Sequence, residues 1–243
     1  MIPVSENIAE IEAAIVMANR ILAHHGVLDA FGHVSARHPT LSDRFIISRT
    51  MAPANVTAAD LMHLQDDGTP VGNDARRPFL ERFIHSSIYR ARPDVKAIVH
   101  SHSPVVIPFS VVNEAPLRPI FHMAGFIGAK APIFEIREFA GDASDMLVRT
   151  GELGDGLAKC LGNSTVVLMR GHGSTCVGGD VRQVVFRAIY LAVNAQIQSA
   201  ASMLGNPTFL NAEEAANADK ENSGQIDRAW ALWCSEVNAP GPQ

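Results

Sequence analysis

Three histidines carry the strongest chemical signal in the chain: His100 and His102 in Val99-His100-Ser101-His102, and His172 in Arg170-Gly171-His172-Gly173. Residues two apart on a strand project to one face, so both imidazoles of an H-x-H pair can reach a single ion. His172 follows the apolar run Thr165–Arg170 and has glycine on both sides, which permits close backbone approach. Three neutral imidazoles around one divalent ion, with a position left open for water or substrate, form a catalytic arrangement. Zinc, manganese, iron or cobalt would suit such ligands. Glu81 lies upstream in the buried-looking helical segment RRPFLERFIHSSIY. It reads either as a general acid/base or metal ligand, or as a solvated carboxylate paired with Arg82 or Arg77. Spacing alone favours the second reading.

The elements that must position these groups follow from periodicity. Ile8, Ile11, Ala14, Ile15, Ala18, Ile21 and Leu22 recur at helical spacing, which predicts a helix over 6–25 with Ser5 as N-cap and Gly26 as its stop. Arg44–Ser48 reads as a strand, and Thr57–Leu61 as a helical turn entered through a threonine cap. Pro78 to Arg90 reads as a helix with Pro78 in its first turn, and Ala97–His102 as a buried strand. Leu117–Phe121, carrying Pro119, is expected to be an edge strand. Asp142–Cys160 contains a further helix, Thr165–Arg170 a further strand, and Val181–Leu204 a long helix capped by Asp180. A shorter helix bearing Trp230 and Trp233 lies in the tail. Helices interleave with short strands without regular βαβ alternation. This favours one α/β domain over 1–243, with helical layers on both sides of a central mixed or antiparallel sheet.

Bulk properties exclude several classes. The 243 residues are 47% hydrophobic and 19% charged, with a net charge of −5. No basic run offers a surface to nucleic acid. The apolar runs are too short or broken to span a membrane, and the acidic start does not resemble a signal peptide. Cys160, Cys176 and Cys234 are odd in number and widely spaced, which fits a reducing, cytoplasmic setting.

Taken in order, Gly32-His33-Val34-Ser35-Ala36-Arg37, Glu81, the H-x-H strand and the G-H-G turn resemble the class II aldolase/adducin family. The resemblance implies a central sheet between helical layers. It also implies a homotetramer with active sites between subunits, where the tail from 206 to 243 packs. It implies one divalent ion per subunit on His100, His102 and His172, with zinc or manganese favoured, and Glu81 as acid/base or fourth ligand. Phosphosugar aldolases of the family cradle phosphate with small polar groups. Here His33, Arg49-Thr50 and Phe79-Leu80 stand at those positions, so the phosphate site is expected to be lost. His33, Ser35, Arg49, Thr50, Arg77 and Phe79 then become the expected substrate-binding residues, suited to a flat carboxylate. The pattern is similar to a decarboxylase branch of the family that includes hydroxypyridine-dicarboxylate and dihydroxyphthalate decarboxylases. Phe121-His122-Met123-Ala124-Gly125-Phe126 also resembles that branch and implies His122 as a proton donor or substrate contact. The implied activity is a metal-dependent carbon–carbon lyase acting on a hydroxylated aromatic carboxylate. An aldolase or epimerase acting on a sugar or sugar phosphate is the first alternative. A non-catalytic adducin-like interaction module is the second.

Overall fold

In the computed structural model, which describes residues 7–238, seven strands form one sheet. They are β1 (His33–Arg37), β2 (Arg44–Ser48), β3 (Leu61–Gln65), β4 (Ala97–Ser101), β5 (Ile133–Phe134), β6 (Val166–Met169) and β7 (Gly173–Gly178). The order is β3-β2-β1-β4-β7-β6-β5. Neighbours pair antiparallel except β5 and β6, which are parallel. The helices are α1 (Ile8–His24), α2 (Arg82–Ala91), α3 (Arg137–Ala140), α4 (Gly151–Leu161), α5 (Val181–Leu204), α6 (Ala212–Ser223) and α7 (Ile226–Asn238).

Side-chain alternation divides the core into two layers. Val34, Ala36, Ile46, Val99 and Leu168 face α1, α5 and α7. Phe45, Ile47, Ile98, Val167 and Val177 face α2 and α4. His33 pairs with His100 across β1 and β4, and by the strand period both lie on the α2 face. Inward histidines on a buried strand are therefore set over the start of α2, where Glu81 stands. The architecture is a single α/β unit with helices on both sides of a mixed sheet, as the periodicity predicts.

Several boundaries differ from expectation, each for a local reason. Asn7 caps α1, accepting from Ala9 N and forming a reciprocal box with Glu10; Ser5 lies outside the described residues. Gly26 does take the left-handed conformation that stops the helix, at φ +67°. Pro78 does not open α2, which starts at Arg82 with Glu81 at its N-cap. His102 falls one residue beyond β4. β3 follows the turn at Ala58–Asp60 directly, a strand that the sequence pattern does not predict.

Leu117–Phe121 is not a strand. Its main chain bonds to two side-chain amides of α5 instead: Arg118 N donates to Gln198 Oε1 and Ile120 N to Asn194 Oδ1, both at 3.0 Å. The same amides donate back to the Pro116 and Arg118 carbonyls at 2.8 Å. The expected single tail helix is two, α6 and α7. α6 packs on the 3-10 turn His122–Ile127, and Trp233 of α7 is buried against Phe186 and Tyr190 of α5. Arg37 is structural, donating to the carbonyls of Val95, Ser42, Tyr89 and Arg92. All three cysteines are free. Among the described residues, no helix is long and apolar enough to cross a membrane.

Gly173 opens β7 directly after His172, and a Cβ there would run into the Ser101 carbonyl on β4. Gly173→Ala is expected to lower stability by about 1–3 kcal/mol, the usual cost of overpacking, because backbone cannot yield as a side chain does. Urea unfolding checks this; an unchanged midpoint would show that the β4–β7 contact is looser than the geometry requires.

Candidate metal centre and cleft

Glu81, His100, His102 and His172 converge, each offering a ligand atom within 4.8 Å of the others. His100 leaves the centre of the sheet at the end of β4. His102 lies two residues on. His172 sits in the tight β6–β7 turn, where its N–H returns to the Met169 carbonyl at 3.0 Å and Gly171 takes φ +64°. His102 Nε2 stands 3.0 Å from His100 Nε2 and 2.9 Å from His172 Nε2. Glu81 Oε2 stands 3.7 Å from the first and 3.5 Å from the last. Glu81 is therefore not a solvated surface carboxylate: it is 8% exposed and faces the imidazoles.

The partners behind these groups fix their orientation. His172 Nδ1 bonds the Met146 carbonyl at 2.8 Å, which leaves Nε2 with its lone pair pointing inward. Met146 holds φ +70°, uncommon for a residue with a side chain, and backbone strain of this kind gathers at functional sites. Val148 N donates to Glu81 Oε1 at 2.9 Å. Thr175 Oγ1 lies 3.3 Å from His100 Nδ1. Burial pushes His100 well below the ordinary histidine range, and the neighbouring histidines push it the same way. Burial and His172 lower His102. Burial also acts to lower His172, but the Glu81 carboxylate and the Met146 carbonyl outweigh it and leave that pKa raised. Three imidazole nitrogens with converging lone pairs repel one another unless a cation lies among them. An adjacent carboxylate and held outer nitrogens complete a set that fits one divalent ion.

Beside the cluster opens a cleft of about 400 Å³, lined by His33, Thr50, Arg77, Phe79, Glu81 and His102 among others. Phe79 leans on His33, with ring centroids 4.6 Å apart, and His33 on His100 at 5.0 Å. Thr50 N bonds the Arg77 carbonyl at 2.9 Å, tying the two sides of the mouth together. Arg77 is exposed there, and its guanidinium makes no hydrogen bond or ion pair with any described residue. A larger cavity of about 630 Å³ lies between α1, α5 and α7. It holds no histidine, and its cation Arg182 is already paired with Asp227 at 2.7 Å.

Three expected site residues are not brought to the cleft. Arg49 is turned onto Asp60, with Nε to Oδ1 at 2.8 Å, because the turn at Ala58–Asp60 sets that carboxylate beside it. Ser35 is fully buried beneath the sheet, between His85 Nδ1 at 2.6 Å and Tyr89 OH at 2.8 Å. His122 is exposed and its carbonyl is anchored by Asn222 of α6 at 2.8 Å; it lies neither in the cluster nor along the cleft of this chain.

The sequence pattern misses His85. It is fully buried, and its Nε2 lies 2.6 Å from His33 Nδ1. Its one signal was a histidine on the apolar face of a helix, one turn after the glutamate. Burial pushes its pKa down to about 3 from the ordinary 6.5. Unfolding restores the ordinary value, so below pH 6.5 the unfolded chain binds a proton that the folded chain refuses until about pH 3. The stability this confers is complete above 6.5 and is lost as pH falls, at about 1.4 kcal/mol per unit for this one group. Buried His33 and His100 act in the same direction. Urea midpoints of the metal-free protein are expected to fall steadily below pH 6.5; a flat profile would mean that these imidazoles are not held neutral.

A mixed seven-stranded sheet with a histidine–carboxylate cluster at the end of its central strands is the class II aldolase fold. The chain belongs to the family described as Class II Aldolase and Adducin N-terminal domain, which it matches over residues 13–199. It is 39% identical to decarboxylase tropJ of Talaromyces stipitatus, over 91% of both chains. It is 28% identical to 3,4-dihydroxyphthalate decarboxylase of Arthrobacter keyseri, over 93% of both. The solved aldolase II superfamily protein from Pseudomonas syringae shares its fold, with TM-score 0.78 and 24% identity over 97% of this chain and 94% of that one.

Proposed function

We propose that the protein is a divalent-metal-dependent lyase that decarboxylates a hydroxylated aromatic carboxylate. The observation that carries this reading is the aromatic slot opening on the cluster, with Phe79 against His33 and the unpaired Arg77 at its mouth. A flat ring can lie against this aromatic wall, and a guanidinium can hold a second carboxylate through paired hydrogen bonds. The names of the two decarboxylase relatives agree with it.

His100, His102 and His172 would hold zinc or manganese, with Glu81 as a fourth ligand in the absence of substrate, and the ion would supply Lewis-acid chemistry at the site. The chain's own groups move the proton. Glu81 takes it from the substrate hydroxyl on binding. The carbon–carbon bond breaks, carbon dioxide leaves, and the bonding pair stays on the ring carbon. Glu81 then returns the proton to that carbon, and the product departs as the phenolate. Glu81 is preferred over His122 because it alone of the two faces the cleft in this chain. Exposed Phe31 and Leu80 along the cleft, 66% and 46% accessible, support completion of the site by a neighbour in a homotetramer.

The test is carbon dioxide release by metal-loaded protein from hydroxylated phthalates and hydroxypyridine dicarboxylates. No release from any of them overturns the reading. Cleavage of a sugar phosphate instead would establish the aldolase alternative, and intact histidines without bound metal the adducin-like one. Arg77→Met is expected to raise KM for a dicarboxylate about tenfold, the low end for a hydrogen bond to a charged group since this one is exposed. A KM unchanged by that substitution would remove Arg77 from the substrate site.

A further inference from the structure

Beneath the cleft runs a buried chain of hydrogen-bonding groups that the proton transfer above does not use. Tyr89 OH lies 2.8 Å from Ser35 Oγ, Ser35 Oγ 2.6 Å from His85 Nδ1, and His85 Nε2 2.6 Å from His33 Nδ1. His33 forms part of the cleft wall. Each link could run in either direction taken alone, since a hydroxyl and a neutral imidazole both donate and accept. We infer that the chain has one fixed sense, which makes His33 a hydrogen-bond donor to substrate through Nε2.

The sense is set at the tyrosine end. Tyr89 is 2% exposed, and Ser35 Oγ is the one acceptor within reach of its hydroxyl among the described residues. The group over its ring is the Arg37 guanidinium, 4.7 Å from the centroid, which has no lone pair to offer. A buried O–H left without an acceptor is unfavourable, so Tyr89 donates to Ser35. Ser35 then has its own hydrogen for one remaining partner, His85 Nδ1. His85 must carry its proton on Nε2 and donate it to His33 Nδ1. His33 in turn carries its proton on Nε2, the nitrogen left for the cleft beside His100. Burial keeps His85 and Tyr89 neutral, lowering the histidine and raising the tyrosine, and His33 accepts on Nδ1, which only a neutral ring can do. A donor without charge selects an acceptor oxygen, carboxylate or phenolate, at that point of the substrate. An amino group placed there would meet a second N–H.

The substrate part of this inference rests on the oxyacid reading above; the proton positions do not. Two-bond nitrogen–proton correlation spectra of zinc-loaded protein carrying labelled histidine read the tautomers without substrate. Both His33 and His85 are expected to show a protonated Nε2 and a bare Nδ1. A proton on Nδ1 of either ring overturns the fixed sense, whatever the protein decarboxylates. His85→Phe keeps the ring that lies parallel to Phe45 but frees His33 to populate both tautomers. With 3,4-dihydroxyphthalate, the substrate named for one relative, KM is expected to rise about threefold to tenfold, the size of one hydrogen bond. Bound zinc and kcat should change little. Ser35→Thr, which retains the hydroxyl, should keep the native tautomers and KM. A redistributed His33 tautomer with unchanged KM would overturn the donor role. If His85→Phe does not fold, the spectrum of the unsubstituted protein decides the sense of the chain, and KM in Ser35→Ala, compared with Ser35→Thr, decides the donor role.

Discussion

His100→Ala is expected to strip the metal and abolish turnover together. His100 is fully buried on β4 between β1 and β7, so its imidazole cannot be replaced by another side chain swinging in. His102 and His172 would remain, a pair with a carboxylate, which holds a divalent ion less tightly than three imidazoles. Losing an outer partner of a metal ligand typically costs roughly 10- to 100-fold. Thr175→Val, which removes the hydroxyl 3.3 Å from His100 Nδ1, is expected in that range, and the ligand itself well beyond it. Elemental analysis and carbon dioxide release read the two effects, with circular dichroism to show that the variant is folded. A folded His100→Ala protein with full metal and full activity would remove the metal centre from the mechanism.

Glu81→Gln is expected to separate binding from chemistry. The amide oxygen can still accept from Val148 N, as Glu81 Oε1 does at 2.9 Å, so the loop stays in place. The three imidazoles keep the metal. The amide cannot take up and return a proton, and losing a positioned acid–base group costs about 10²- to 10⁴-fold in rate. The expected pattern is therefore a collapse in kcat with retained metal and a KM close to normal. Activity within a few-fold of the unsubstituted enzyme would shift the proton to another group. His122 of a neighbouring subunit would then be the first to examine.

The parts of the fold that follow a strong period are legible in the sequence. β2 and α5 match their patterns to the residue, because RFIIS is framed by polar turns and α5 carries an aspartate cap and a long apolar run. β3 is hidden, since His63 and Gln65 interrupt a five-residue strand at the sheet edge. α2 begins late because residues 79–81 shape the cleft instead of continuing a helix. The ligands are legible because a metal needs particular side-chain types. Their supports are not: Met146 and Val148 act through backbone atoms, which any residue could offer. Arg49 and Arg77 were equal in the sequence, and only the turn carrying Asp60 separates the paired guanidinium from the free one.

Asn194 and Gln198 each use one side-chain amide as a stand-in for a peptide unit, donating and accepting against residues 116–120. That contact reads the main chain and ignores what hangs from it. Apart from Leu117, which is buried in the core, the loop is expected to tolerate side-chain changes that the two amides one turn apart on α5 do not. The amide hydrogens of Arg118 and Ile120 should exchange with solvent as slowly as those of a paired strand, in a segment that contains none.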